Sequence, residues 1–165
     1  MKAAGLIVMG VSGCGKTSVG RELAARLGWD FFDADDYHPP ENVAKMTSGV
    51  PLDDSDREPW LEELNGMLRR TLSAGRHPVL ACSALKERYR DVLLRGNGGV
   101  RIVYLKGSFD LIFGRMQKRP GHYFKAGMLR SQFDALEEPE DAIPAGIDRP
   151  VAEIAAGILA DLEND

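Results

Sequence analysis

Apolar runs too short for helices recur along the chain, and segments with helical apolar spacing lie between them. "GLIVM" (5–9), "PVLAC" (78–82) and "RIVYL" (101–105) are continuous, as expected of strands buried on both faces. "WDFFDA" (29–34) and "DAIPAGI" (141–147) are weaker candidates for two more strands. Val19, Leu23 and Leu27 fall at i, i+4, i+8, one face of a helix. Trp60, Leu61, Leu64, Met67, Leu68 and Leu72 form a second stripe, and Ser55 and Glu58 ahead of it have capping-box spacing. Val151, Ile154, Ile158 and Leu162 form a third. This alternation predicts an α/β fold: a parallel sheet with helices on both faces, three layers in all. Ligands of such sheets bind outside the carboxyl ends of the strands, so the residues that follow each apolar run are the ones to inspect.

The first run is followed by "GVSGCGKTS" (10–18). Gly10 and Gly15 bracket four residues and Lys16-Thr17 follow, the phosphate-loop pattern G-x-x-x-x-G-K-[ST]. Glycines let the backbone curl so that successive N–H groups face phosphate oxygens, and the next helix presents its positive end to the same anion. Lys16 is placed to reach the β- and γ-phosphates, and the Thr17 hydroxyl to ligate Mg²⁺. The order strand, loop, helix is the context that this motif requires.

The second run leads into "DADDYHPP" (33–40) and the third into "SALKERYR" (83–90). No aspartate closes the third run, which ends in Cys82-Ser83, so a metal would be held by Thr17, waters and a carboxylate from elsewhere, Asp33 being best placed. A hydroxyl attacking a γ-phosphate benefits from a carboxylate that accepts its proton, a role that suits Asp35. The alternative is that Asp33, Asp35 and Asp36 cap the helix entered at Pro39-Pro40. His38 either binds substrate or finishes the turn. In "GRMQKRPGHYFKAG" (114–127), Arg115 and Arg119 share a helix face before Pro120-Gly121 breaks it, and His122 and Lys125 continue the positive character. This segment either closes over a triphosphate as a lid or is a solvated basic helix end.

The 165 residues suit one domain, large enough to bury an independent core. A net charge of −4 does not suggest a nucleic-acid surface. Two cysteines, Cys14 and Cys82, make neither a disulfide framework nor a metal spacing, in keeping with a reducing, cytoplasmic compartment. "MKAAGLIVMG" is too short for a signal or membrane segment, so no membrane partner is expected.

Together these stretches resemble the gluconokinase family, small phosphate-loop kinases that phosphorylate D-gluconate at its 6-hydroxyl with ATP and Mg²⁺. The resemblance covers nearly the whole chain: "MGVSGCGKTSVG", "DADDYHPPENVAKMTSGVPLDDSDREPWL", "CSALKERYRDVLLR", "VYLKGSFDLIFGRMQKRPGHYFKAGMLRSQFDALEEP" and "IDRPVAEI". The loop itself is shared by many families; "PLDDSDREPWL", "CSALK" and "HYFKAGMLRSQFDALEEP" are far more specific. Ala34 stands where glycine is expected.

The resemblance implies a five-stranded parallel sheet of nucleoside-monophosphate-kinase type, one kinase domain over 1–165 with a lid at about 118–127, and a homodimer. Gly10, Val11, Ser12, Gly13, Cys14, Gly15, Lys16 and Thr17 would hold ATP. Lys16, Asp35 and Arg119 would carry the chemistry, with Thr17 and Asp33 at the metal. Arg57 and Lys86 would take the sugar acid's carboxylate and hydroxyls, together with His38. Arg115, Arg119 and His122 belong to the lid, with Gln132 on the substrate side or at its hinge. Arg115 and Pro150 are placed to sandwich adenine. Shikimate and nucleoside-monophosphate kinases would share the loop and lid but not "PLDDSDREPWL" or "CSALK". A GTP switch would carry N-K-x-D, and this chain has none.

Overall fold

The computed structural model describes residues 1–118 and 126–165. The five apolar runs are five parallel strands: β1 (Gly5–Met9), β2 (Asp30–Asp33), β3 (Pro78–Ala81), β4 (Val100–Lys106) and β5 (Ile143–Gly146). They lie in the order β2-β3-β1-β4-β5. The helices between them are α1 (Lys16–Leu27), α2 (Pro40–Thr47), α3 (Asp54–Ser73), α4 (Glu87–Leu94), α5 (Phe109–Gln117), α6 (Ala126–Ala135) and α7 (Val151–Glu163).

The pleat explains why the central strands read as unbroken apolar runs. Leu6 and Val8 of β1 point into one core with Val19 and Leu23 of α1 and Ile154, Ile158 and Leu162 of α7. Ile7 and Met9 point into the other, with Leu64 and Leu68 of α3 and Leu93 of α4. Both faces are covered, so every residue of β1 is apolar or small. The sheet order puts β1 near the middle, and the loop leaving it opens at the centre of the carboxyl edge, with the ends of β2 and β3 to one side.

The start of α3 corrects one expectation. The capping box is formed by Asp53 and Asp56, not by Ser55 and Glu58. The Asp56 N–H donates to Asp53 Oδ1 at 2.8 Å, and the Asp53 N–H donates to Asp56 Oδ2 at 3.0 Å. An aspartate caps as well as a serine does, and Asp56 gains a further partner in Lys45 of α2 at 2.8 Å, which ties α2 to the same turn. Asp53→Ala is expected to lower unfolding free energy by about 1 kcal/mol, whereas Ser55→Ala changes it by less than about 0.5 kcal/mol. Urea melts of the two variants test this; equal losses would restore the serine cap.

Candidate active site

The phosphate loop is shaped by close packing. Gly10 has φ +155°, and a Cβ there would meet Cys14 Sγ at 2.6 Å and the Leu105 carbonyl oxygen at 3.0 Å. Gly13, at φ +80°, lies so near Met116 of α5 that a Cβ would stand 2.8 Å from its side chain. The loop therefore needs glycine for both conformation and room. Val11 and Cys14 turn into the core, and burial raises the Cys14 thiol's pKa. Burial also pushes the Cys82 thiol up to about 12, so neither sulfur offers a thiolate. Lys16 Nζ donates to the carbonyls of Gly10 and Val11, both at 3.1 Å, and so lies along the loop that it would serve.

A cleft of about 370 Å³ opens over this loop. Ser12, Lys16, Thr17, Asp33, Asp35 and Arg57 are among its walls, with Cys82, Ser83 and Gln132. Three strand ends thus meet in one space, as the topology requires.

Asp33 ends β2 and caps the short 3₁₀ turn Ala34–Tyr37, accepting from the Asp35 N–H at 3.0 Å. The expected capping role therefore exists, but at this turn; α2 starts at Pro39-Pro40 with no side-chain cap. The other Asp33 oxygen accepts from the Thr17 hydroxyl at 3.4 Å, so a hydroxyl and a carboxylate face one another across the loop. Among the described residues no three or more His, Cys, Asp or Glu side chains cluster as a metal site. This sparse oxygen pair suits Mg²⁺, which keeps several waters and leans on phosphate oxygens.

Asp35 points to solvent in the open cleft, yet the walls around it and then the Asp33 carboxylate raise its pKa, against the pull of His38 and Lys16. Its turn is pinned from behind, because Trp60 of α3 donates its indole N–H to the Ala34 carbonyl at 2.7 Å. His38 stacks on the same indole, ring centroids 4.3 Å apart. Partial burial lowers the His38 pKa, and Nδ1 lies 3.3 Å from the buried Asn42 amide, which also donates to the Asp56 carbonyl at 2.9 Å. His38 finishes the turn and remains within electrostatic reach of Asp35, so both readings of it survive.

Arg57, in the first turn of α3, donates to the Tyr89 hydroxyl at 3.4 Å, and that hydroxyl donates to Asp54. Lys86, Arg88 and Arg57 all lie over the Tyr89 ring. Lys86 is 3.7 Å from Asp54, and Arg88 also pairs with it. Arg57 reaches the cleft wall, whereas Lys86 is engaged with Asp54 beside it.

Gln132 of α6 is in the cleft, bonded to Ser12 of the loop through two contacts. Arg115 is exposed in the last described turn of α5, and Pro150 is the exposed residue before α7. The expected lid, 118–127, is mostly outside the described residues; Arg119 and His122 both fall there. Two pieces of the site carried no sequence signal, the Trp60 anchor and the Tyr89–Asp54 cluster. Both are made by residues distant in the chain.

A family model described as shikimate kinase matches residues 12–151. The chain is 47% identical to "Probable gluconokinase" of Mus musculus, over 99% of this chain and 100% of that one. It is 43% identical to "Thermoresistant gluconokinase" of Escherichia coli K12, over 93% and 90%. A crystal structure of a gluconokinase from Sinorhizobium meliloti superposes with a TM-score of 0.89 at 39% identity, covering 99% of this chain and 93% of that one.

The raised pKa of Asp35 has a consequence for stability. A carboxyl that binds its proton more tightly when folded gives a stability that falls as pH rises from its unfolded pKa, about 3.9, through its folded value. Asp35→Asn removes that penalty. The variant is expected to melt above the parent protein at pH 7, and the gap is expected to close near pH 3. A gap that is absent at pH 7 or independent of pH would contradict the electrostatic account of this turn.

Proposed function

Because this chain belongs to the gluconokinase family, within the phosphate-loop kinases related to shikimate kinase, we infer that it transfers the γ-phosphoryl group of ATP to gluconate. The observation that carries the assignment of roles is the meeting of the phosphate loop, Asp35 and Arg57 in one cleft.

We propose that the acceptor is the 6-hydroxyl, at the end of the sugar acid remote from its carboxylate. Its oxygen attacks the γ-phosphorus, the bond to the β-phosphate oxygen breaks, ADP leaves, and the hydroxyl proton passes to the Asp35 carboxylate. The raised pKa of Asp35 favours its accepting that proton. Lys16 leaves the carbonyls of Gly10 and Val11 for the phosphates, where its charge offsets the build-up on the transferring group. Mg²⁺, held by Thr17 and Asp33 with waters, would supply further charge neutralisation. Arg57 takes the carboxylate. Lys86 supports it as part of the cluster around Tyr89 and Asp54. Arg119 and His122 are proposed for the lid, and Arg115 with Pro150 for the adenine.

Asp35→Asn is expected to lower kcat by about 10²–10⁴-fold with little change in the KM for ATP. Steady-state kinetics check this, and a variant matching wild type would move the base elsewhere. Glucose shares the 6-hydroxyl and lacks the carboxylate. An Arg57 left unpaired in the cleft is expected to disfavour glucose by about 30- to 5,000-fold in kcat/KM. Measuring ADP release with gluconate, glucose and shikimate tests the function itself; efficient turnover of shikimate and none of gluconate would overturn it. Arg57→Ala is expected to shrink the gluconate-to-glucose ratio by weakening gluconate, and Lys86→Ala to do so less. Equal losses toward both sugars would assign Arg57 to the phosphates or the fold.

A further inference from the structure

Gln132 makes a contact that its expected place beside the substrate or at a lid hinge does not account for. The Ser12 backbone N–H donates to Gln132 Oε1 at 2.7 Å, and Gln132 Nε2 lies 2.8 Å from Ser12 Oγ. A backbone N–H can only donate, so the carboxamide oxygen must face it and the amide nitrogen must face the hydroxyl. An amide nitrogen in turn can only donate, so Ser12 Oγ is an acceptor in this contact. The Ser12 hydroxyl proton is left free to donate, and Gln132 Nε2 has a second N–H that this contact does not use. Both residues line the cleft beside Gly13, Gly15, Lys16 and Thr17.

The pair is held firmly from the α6 side. Leu129, one turn before Gln132, is fully buried, and Phe133 beside it packs edge-on against Phe109 of α5. Arg130 covers the same Phe109 ring. The loop side is fixed by Val11 and Cys14 in the core. Two rigid elements, 120 residues apart in the chain, thus present two neutral donors at the phosphate loop.

Resting on the phosphate-loop kinase reading above, we propose that Ser12 and Gln132 act as one donor pair for the γ-phosphate. Gln132 sets the polarity of the Ser12 hydroxyl, and the hydroxyl and the spare amide proton bind the oxygens of the transferring group. Such donors gain value as negative charge spreads over those oxygens. Both are neutral, so they remain in place through the transfer without a change of protonation.

The test is isothermal titration of the full chain with ADP and with a non-hydrolysable β,γ-imido analogue of ATP, both with Mg²⁺. Ser12→Ala keeps the backbone N–H and removes the hydroxyl; Gln132→Met keeps the length and removes the amide. Each is expected to weaken the analogue about tenfold and ADP less than twofold, with kcat reduced by about 10²-fold. The double variant is expected to be no worse than either single one, because the pair works as a unit. Equal weakening of both nucleotides, or none, overturns the pair. Losses that multiply in the double variant overturn the coupling that defines it. A wild-type protein that binds neither nucleotide would instead fail the phosphate-loop reading itself. The readout needs no acceptor, so an error over gluconate leaves it intact.

Discussion

Where the chain leaves β1 governs the remainder of the site. A parallel sheet sends every strand's carboxyl end to one edge, and the order β2-β3-β1-β4-β5 places the first turn near the middle of that edge. The turn is closed by contacts that tolerate no side chain at Gly10 or Gly13, with Cys14, Leu105 and Met116 packed directly against them. This packing fixes the direction of the loop's N–H groups and the starting point of α1. Asp33 and Asp35 then arrive one strand further along, across β3, at a distance set by the sheet itself. Nothing in the cleft has to find its place through a flexible linker.

With no ligand present, the charged groups of the cleft rest on partners of the protein's own. Lys16 bonds the carbonyls of its own loop, Arg57 bonds Tyr89, and Thr17 bonds Asp33. Asp35 has less support, and its raised pKa records the cost of ionising there. The arrangement limits reorganisation, because each group is close to where an anion or metal would draw it. Trp60 holds the second half of this arrangement. Its indole N–H secures the turn that carries Asp35 while its ring supports His38.

The strands were legible because burial on both faces leaves a continuous apolar run, and the phosphate loop because its spacing is dictated by the anion. The long helices α1, α3 and α7 showed their stripes. Helices α2 and α4 are eight residues each, and α2 leaves Val43 and Met46 exposed, which blurs any stripe. The capping box was displaced by two residues because aspartates and a serine compete within "DDSD", and only the Lys45 contact from α2 distinguishes them. The Ser12–Gln132 contact and the Tyr89–Asp54 cluster were invisible for a different reason. They join residues far apart in sequence, and no local pattern encodes them. The family resemblance named Gln132 without revealing its partner.

The central claim is that one cleft seats ATP on the loop and gluconate with its hydroxyl at Asp35 and its carboxylate at Arg57. A crystal structure of the protein with gluconate and a non-hydrolysable ATP analogue tests it most directly. The account predicts the gluconate O6 within hydrogen-bond reach of Asp35, roughly 2.6–3.2 Å, in line with the γ-phosphorus, and the carboxylate on the Arg57 guanidinium. Gluconate bound with its carboxylate toward the phosphate loop, or with O6 directed away from Asp35, would contradict it.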